Sequence, residues 1–312
     1  MTVRLATSDD DLATLVAIND ATTPDEPTTL DELRWADATY PGTVRYLAEL
    51  KGEVVGAATV GRIYVQPPSY PDLWATLGVL RHARRRGVGS ALLAAIAGAA
   101  ANAGKTGLQL RCRAHRPEAI EFLGHRGFTE LERLKAVRLD LAGRTAPPFT
   151  MPAGLALTNL AEHPELVGGV HDVALETFED IPGGDAPMAV GDLAEFRARD
   201  VERPGIPAGA FMVAVEAGTD RVVGYACLLY PPGRTDVAWH DMTAVRRAWR
   251  GRGLATALKL ATIAWAIEHE LTALETGNDE GNAPMRAVNA RLGYEPLPDE
   301  IMMRGPLVGG GA

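Results

Sequence analysis

Three short motifs recur in this 312-residue chain, in the same order and at nearly one spacing. Glu53-Val54-Val55-Gly56-Ala57-Ala58 returns as Arg221-Val222-Val223-Gly224-Tyr225-Ala226. Arg84-Arg85-Arg86-Gly87-Val88-Gly89 returns as Arg250-Gly251-Arg252-Gly253-Leu254-Ala255, and His125-Arg126-Gly127-Phe128 as Arg291-Leu292-Gly293-Tyr294. The period is far too long for a solenoid unit, so each copy is expected to be a domain with its own core. The seam falls where Pro147, Pro148 and Pro152 crowd between two strand-like runs. This divides the chain into an N-terminal domain over 1–142, a linker over 143–154 and a C-terminal domain over 155–312.

Both copies read alike. A short strand (Thr2 to Ala6; Leu155 to Leu160) leads into a variable acidic helical region and then a β-hairpin with its turn at Lys51-Gly52 or Gly218-Thr219-Asp220. A further strand (Trp74 to Val79; Ala238 to Val245) runs through an arginine-rich turn into a long helix (Val88 to Ala103; Leu254 to Glu268). Another strand, a helix ending in Gly and a final strand (Lys135 to Leu141; Glu300 to Leu307) complete the unit. The expected fold class is α+β: a mixed, mostly antiparallel sheet flanked by helices, made twice.

The sharpest chemistry lies in the turns Arg84-x-x-Gly87-x-Gly89 and Arg250-x-x-Gly253-x-Ala255. Each sits between a strand and the start of a helix, where backbone N–H groups lack partners and the helix dipole is positive. Glycine allows close approach and arginine adds forked donors, a combination suited to pyrophosphate. The pattern is neither the dinucleotide fingerprint, since position 92 is Leu, nor a Walker A loop. An exposed basic turn would explain one copy; two copies in the same setting favour the cradle.

At these residues the sequence resembles the tandem, two-domain bacterial type of the GNAT superfamily of N-acetyltransferases. Their hallmark Arg/Gln-x-x-Gly-x-Gly/Ala turn grips the pyrophosphate of acetyl-CoA. The resemblance spans essentially the whole chain. It implies acetyl-CoA as co-substrate, no metal, and cofactor contacts from Val245, Arg250, Gly251, Arg252, Gly253, Leu254, Ala255 and Asn282, with Arg84, Arg86, Gly87 and Gly89 as the first copy's equivalents. Many members also carry Asn-x-x-Ala-x-x-x-Tyr, the Asn contacting the pantetheine arm and the Tyr acting as acid for the departing thiolate. The second copy keeps Asn282 and has Asn289 in place of that Tyr; the first has Arg116 and Leu123. The resemblance therefore implies that the C-terminal copy is catalytic and the N-terminal copy is not. An amide such as Asn289 can donate a hydrogen bond but cannot titrate. The general base is sought on the strand before the turn, where the second copy has His240 and Asp241 against Trp74 and Ala75 in the first. Asp241 is the first candidate and His240 the second; members with Glu two positions earlier would place it at Trp239. Tyr294 reads as core rather than acid.

The implied reaction is transfer of acetyl to the primary amine of a small molecule, with a non-catalytic acyl-CoA-binding protein as the alternative. The variable segment from His171 to Arg203 holds Asp172, Glu176, Glu179, Asp180, Asp185 and Asp192. A cleft edged with these carboxylates would favour a cationic amine, although a solvated acidic face accounts for them equally. A net charge of −9 argues against nucleic acid as a partner. The uncharged stretch from Gly87 to Gly104 is mostly alanine and glycine and falls short of a membrane span. The start lacks an apolar signal region, and two cysteines, Cys112 and Cys227, suit a reducing compartment, so a cytoplasmic location is expected. The sequence leaves the oligomeric state open.

Overall fold

The computed structural model describes residues 1–307. The first half runs β1 (Thr2–Leu5), α1 (Asp9–Thr22), α2 (Leu30–Thr39), β2 (Val44–Leu50), β3 (Glu53–Arg62), β4 (Asp72–Val79), α3 (Val88–Asn102), β5 (Gly107–Arg113), α4 (Pro117–Gly124) and β6 (Thr129–Asp140). The second runs β7 (Leu155–Asn159), α5 (Val167–Thr177), α6 (Leu193–Phe196), β8 (Met212–Glu216), β9 (Val222–Leu229), β10 (Val237–Val245), α7 (Leu254–Glu268), β11 (Ala273–Asp279), α8 (Ala283–Arg291), β12 (Glu295–Pro296) and β13 (Glu300–Pro306). The α+β architecture read from the repeat is present in both copies. No helix among the described residues is long and apolar enough to cross a membrane.

Two compact units form, and their limits are not those of the two sequence copies. One comprises Met1–Arg133 with the segment from Pro298; the other is Leu134–Leu297. In the first unit the strands lie in the order β1-β2-β3-β4-β5-β13, antiparallel except for the parallel β4–β5 pair. In the second the order is β7-β8-β9-β10-β11-β6, again with one parallel pair, β10–β11. Each copy's last strand thus belongs to the other copy's unit. β13 runs antiparallel to β5 from Glu300↔Arg113 to Pro306↔Gly107, and β6 runs antiparallel to β11 from Asp140↔Ala273 to Leu134↔Asp279. The proline-rich segment 143–154 lies within the second unit and does not divide two domains.

Packing explains the exchange. Ile301 and Met303 on β13 are buried in the first unit's core with Leu108, Leu110 and Phe128, while Leu139 and Leu141 complete the second unit's core with Leu274 and Tyr294. The buried Glu300 meets Arg113 at 2.8 Å and the buried Asp72 meets Arg304 at 2.7 Å, so β13 is held at both ends by ion pairs. A Cβ at Gly305 would lie 2.3 Å from the Phe128 ring, so only glycine fits there. Pattern alone cannot separate two final strands of similar apolar character, which is why the sequence assigned each to its own copy.

This arrangement makes a prediction. Ile301→Ala removes buried methyl groups at a cost of about 2–5 kcal/mol. Although residue 301 is near the C-terminal end, amide hydrogen exchange should accelerate in β3 and β5 of the first unit and not in β8 and β9. Acceleration confined to β8 and β9 would restore the domain limits expected from the sequence.

Candidate active site

The two arginine–glycine turns adopt the same backbone. Gly87 and Gly253 each have φ of 82° at the N-cap of the following helix, where a left-handed conformation suits glycine and a Cβ would meet open space. The position after the first arginine is also left-handed, at Arg85 (61°) and Gly251 (74°). In the second turn the first intrahelical bond closes from Ala257 N–H to Gly253 C=O, so the amides of Leu254 and Ala255 have no helical acceptor. Val88, Gly89 and Ser90 are in the same position in the first turn, where Ala91 N–H bonds Gly87 C=O. The side chain of Leu254 packs in the core, so its backbone is what the turn offers.

The first arginine of each turn is a strut. Arg84 Nε donates to Val79 C=O at 3.1 Å and Arg250 Nε to Val245 C=O at 3.0 Å, tying the turn back to the end of its strand. Arg250 is further engaged by Asp180 at 2.6 Å, which also binds Arg247, while Glu176 binds Arg246 and the Arg247 amide. Hydrogen bonding from Arg247, then Arg250, lowers the Asp180 pKa to about 2. Partial burial opposes ionisation of Glu176, but the bonds from Arg247 and Arg246 hold its pKa below the ordinary carboxylate value. Glu176 and Asp180 therefore brace the turn and are not free carboxylates of an acceptor cleft. Among the described residues Arg252 has no carboxylate partner; its guanidinium stacks over Trp249, 4.7 Å from the ring centroid. Arg86 is exposed on the first turn.

In the second unit β10 and β11 pair only through Trp239↔Glu275 and then part. At the parting, Thr276 Oγ1 donates to His240 C=O at 2.9 Å, a side chain standing where the ladder would continue. β10 also breaks register with β9 between His240 and Thr243. In the first unit β4 and β5 stay paired to Ala75↔Leu110, two residues nearer the turn. The second unit thus has the deeper opening between strands.

His240 faces the interior and is excluded as a base at the acceptor. It is 2% exposed, and both ring nitrogens are bound: Nδ1 to Tyr294 Oη at 2.8 Å and Nε2 to Thr262 Oγ1 at 2.6 Å. The Thr262 hydroxyl proton goes to Lys259 C=O at 2.9 Å. His240 Nε2–H therefore donates to Thr262, and Tyr294 O–H donates to His240 Nδ1. Burial, reinforced by Lys259, pushes the imidazole pKa well below its usual value and keeps the ring neutral. Burial also raises the Tyr294 pKa, which fits its reading as core.

Asp241 lies on the opposite face of the strand and is exposed to solvent. Loss of surrounding water raises its pKa, with Arg203 opposing. Asp200, on a single π turn over Arg197–Val201, is half-buried beside it. Desolvation raises Asp200 to about 6, Arg199 opposing and Asp241 adding to the rise.

Asn282 caps α8, its Oδ1 accepting from Met285 N–H at 3.3 Å. Asn289 is 2% exposed; its Nδ2 donates to Asn278 Oδ1 at 2.6 Å, and its own Oδ1 is buried with no hydrogen-bond partner among the described residues. In the first unit the corresponding groups are structural. Arg116 donates to Thr22 C=O at 2.6 Å, Arg113 meets Glu26 at 2.5 Å, and Leu123 is core. Thr22 packs so closely on Gly78 that a Cβ there would lie 2.4 Å from its Oγ1, and Phe122 covers Gly89.

A family model described as the acetyltransferase (GNAT) family matches residues 13–128 and 175–294, one match to each copy. The chain belongs to the GNAT acetyltransferase family. It is 30% identical over 257 residues to a mycothiol acetyltransferase of Actinosynnema mirum, covering 81% of this chain and 80% of that protein. A mycothiol acetyltransferase of Rhodococcus erythropolis is 25% identical over 261 residues, covering 81% and 82%. Among solved structures, a tandem GNAT protein from the clavulanic acid biosynthesis pathway superposes with a TM-score of 0.78 at 22% identity, over 99% of this chain and 100% of that one. A GCN5-related N-acetyltransferase from Sphaerobacter thermophilus gives 0.73 at 17% identity, over 99% and 96%. The chain is thus an N-acetyltransferase with two GNAT units in tandem.

Within this GNAT site, sequence reasoning missed Asp200, Lys259, Thr262, Thr276 and Asn278. Lys259 left a signal: it is the one charged residue between Leu254 and Ile267 of α7, on a helix otherwise rich in Ala and Leu. It is 2% exposed, and burial lowers its pKa from 10.5 to about 7. The unfolded chain then binds one more proton than the folded chain between pH 7 and 10.5, so Lys259 makes stability rise with pH over that window and imposes its full penalty below it. The melting-temperature advantage of Lys259→Met over wild type should be greatest below pH 7 and shrink towards pH 10.5. A pH-independent difference would contradict the buried, depressed amine.

Proposed function

We propose that the second unit transfers acetyl from acetyl-CoA to the primary amine of a small molecule by direct attack, and that the first unit is not catalytic. The observation that carries this reading is the asymmetry of the two openings. The second unit has the deeper strand parting, with Asp241 on the parted stretch of β10 and Asn289 bonded to Asn278 of β11; the first has Thr22, Arg116 and Leu123 as packing groups. The residues present suit the cofactor. The amides of residues 251 to 255 and the stacked Arg252 would hold its pyrophosphate, and the parted edge of β10 up to Val245, with Asn282 and Asn289, would take its pantetheine amides. When bound, acetyl-CoA supplies the activated acyl group. Asp241, or a water it holds, removes the proton from the attacking amine, and its raised pKa brings its basicity nearer to that of the working pH.

Asp200 and Asp241 replace the acidic cluster expected from the sequence as the carboxylates that would favour a cationic amine. The name shared by the two curated relatives makes a mycothiol-type acceptor one of the first to test. The free, buried Cys112 and Cys227 suit a reducing cytoplasm.

Calorimetric titration of acetyl-CoA tests the assignment of units. Arg252→Ala with Gly253→Asp should abolish binding at the second turn, whereas Arg86→Ala with Gly87→Asp should leave it. If only the first-turn variant loses binding, the units exchange roles. Asp241→Asn should retain binding and lower kcat by about 10²–10⁴-fold in an amine panel followed by CoA release. Tight binding by wild type with no CoA release from any amine would favour an acyl-CoA-binding protein.

A further inference from the structure

Along β2 the side chains alternate between the two faces of the first unit's sheet. Tyr46 and Ala48 pack in the core with Leu92 and Ile96 of α3, and Leu47 packs with Leu15 and Ile18 of α1 and Leu33 of α2. Arg45 shares the face of Leu47, and its side chain is only 6% exposed. The repeat shows the apolar solution for this place. Leu47 pairs with Ala57 as Val213 pairs with Tyr225, so Arg45 corresponds to Phe211, which is 1% exposed in the second unit's core. A guanidinium in such a position is costly unless its donors are matched. Among the described residues Arg45 is matched through Nη1, to Asp37 of α2, while its Nε is buried with no hydrogen-bond partner.

Arg45 lines a cavity of about 320 Å³ that is bounded also by Ala6, Thr7, Asp37, Tyr40 and Thr43, none of them in the arginine–glycine turn or the β4–β5 opening. Its walls are held by hydrogen bonds. Ala6 N–H donates to Arg45 C=O at 2.9 Å, and Thr7 N–H donates at 3.0 Å to the Asp11 carboxylate, which Arg4 anchors at 2.7 Å. After α2 the chain reverses through Gly42 at φ 89°, where Thr43 Oγ1 donates to Tyr40 C=O at 3.1 Å and Tyr64 Oη to Pro41 C=O at 2.9 Å. The Tyr40 ring packs on those of Trp35 and Tyr64, with centroids 5.3 and 4.8 Å away. A cavity built this way is ready for a ligand at little ordering cost. It presents a guanidinium with an unmatched donor, the solvent-exposed carboxylate of Asp37 and an aromatic ring.

We propose that this cavity binds a free α-amino acid. A simple anion would meet Asp37 and a simple cation would meet Arg45, whereas a zwitterion matches both. The ligand's carboxylate accepts from the Arg45 guanidinium, and its ammonium donates to Asp37 beside the Tyr40 ring. The volume is at the small end for ligand sites, which suits an amino acid better than a nucleotide. The site lies in the unit that the acetyl-transfer reading leaves without catalysis, and it does not depend on that reading.

Saturation-transfer NMR on the full-length protein, with the common L-α-amino acids as probes, tests the proposal. At least one amino acid should bind, and its deaminated acid and its amide should each bind about tenfold or more weakly, because each loses one charged contact. Asp37→Asn should weaken the amino acid by a similar factor without weakening the deaminated acid. Loss of Arg45 can unfold the unit, so Thr7→Trp supplies a variant that leaves the Arg45–Asp37 pair in place: Thr7 is exposed at the cavity, and an indole there should abolish binding while circular dichroism shows the protein folded. Absence of binding by every amino acid, binding undiminished in Thr7→Trp, or equal affinity for an amino acid and its deaminated acid would each overturn the proposal, the last by marking a simple anion site. None of these outcomes alters the acetyl-CoA titration, which reads the two turns.

Discussion

Both units depend on one constraint: a β-strand must turn into a helix within a few residues while leaving its amides exposed. Two left-handed positions and one arginine solve it. The residues at 85 or 251 and at 87 or 253 reverse the chain, and the guanidinium of Arg84 or Arg250 reaches back to the last carbonyl of the strand. That carbonyl faces a parted neighbour and has no ladder partner there, so the hydrogen bond satisfies an acceptor that would otherwise be stranded. The same bond fixes where the helix dipole points. An arginine whose motif position suggests a ligand contact is thus engaged by the fold, and on the proposed function anion recognition would pass to the amides and to the stacked Arg252.

The two copies keep this turn and differ in what lies behind it. In the first, apolar and arginine side chains close the region: Phe122 on Gly89, Arg116 on Thr22, Leu123 in the core. In the second, the strands separate earlier and the lining is polar, with Thr276, His240, Asn278 and Asn289 satisfying one another almost completely. Buried polar networks are costly unless every member is matched. The exception in this network is Asn289 Oδ1, which is buried with no hydrogen-bond partner among the described residues.

Much of this was legible in the sequence. The repeat fixed two α+β units, and the spacing of glycines and arginines located both turns and the family. The chemistry that differed between copies, at 241, 282 and 289 against 75, 116 and 123, showed which unit to examine. Three things were not legible. The exchange of β6 and β13 depends on which neighbour each strand meets, and two strands of like character give no local signal for that choice. The role of His240 turned on strand alternation, which sends 240 and 241 to opposite faces; adjacency in sequence made them look equivalent. The acidic residues of the variable segment could not be sorted into arginine partners and free carboxylates, because Glu176 and Asp180 meet arginines some 70 residues away.

Asp200 shows the same limit from the other side. Nothing around it in the sequence distinguishes it from the other acidic residues of the segment. Its character comes from the π turn, which widens the helix by one residue and carries its carboxyl towards Asp241. The two carboxylates are coupled and resist ionising together, so a proton held by one eases ionisation of the other. On the proposed function, a cationic amine would be drawn to the pair and then, on losing its proton to Asp241, become the nucleophile. On that same proposed function, recognition and deprotonation would be the work of the same two side chains, and the acceptor's charge would be part of the chemistry as well as of its selection.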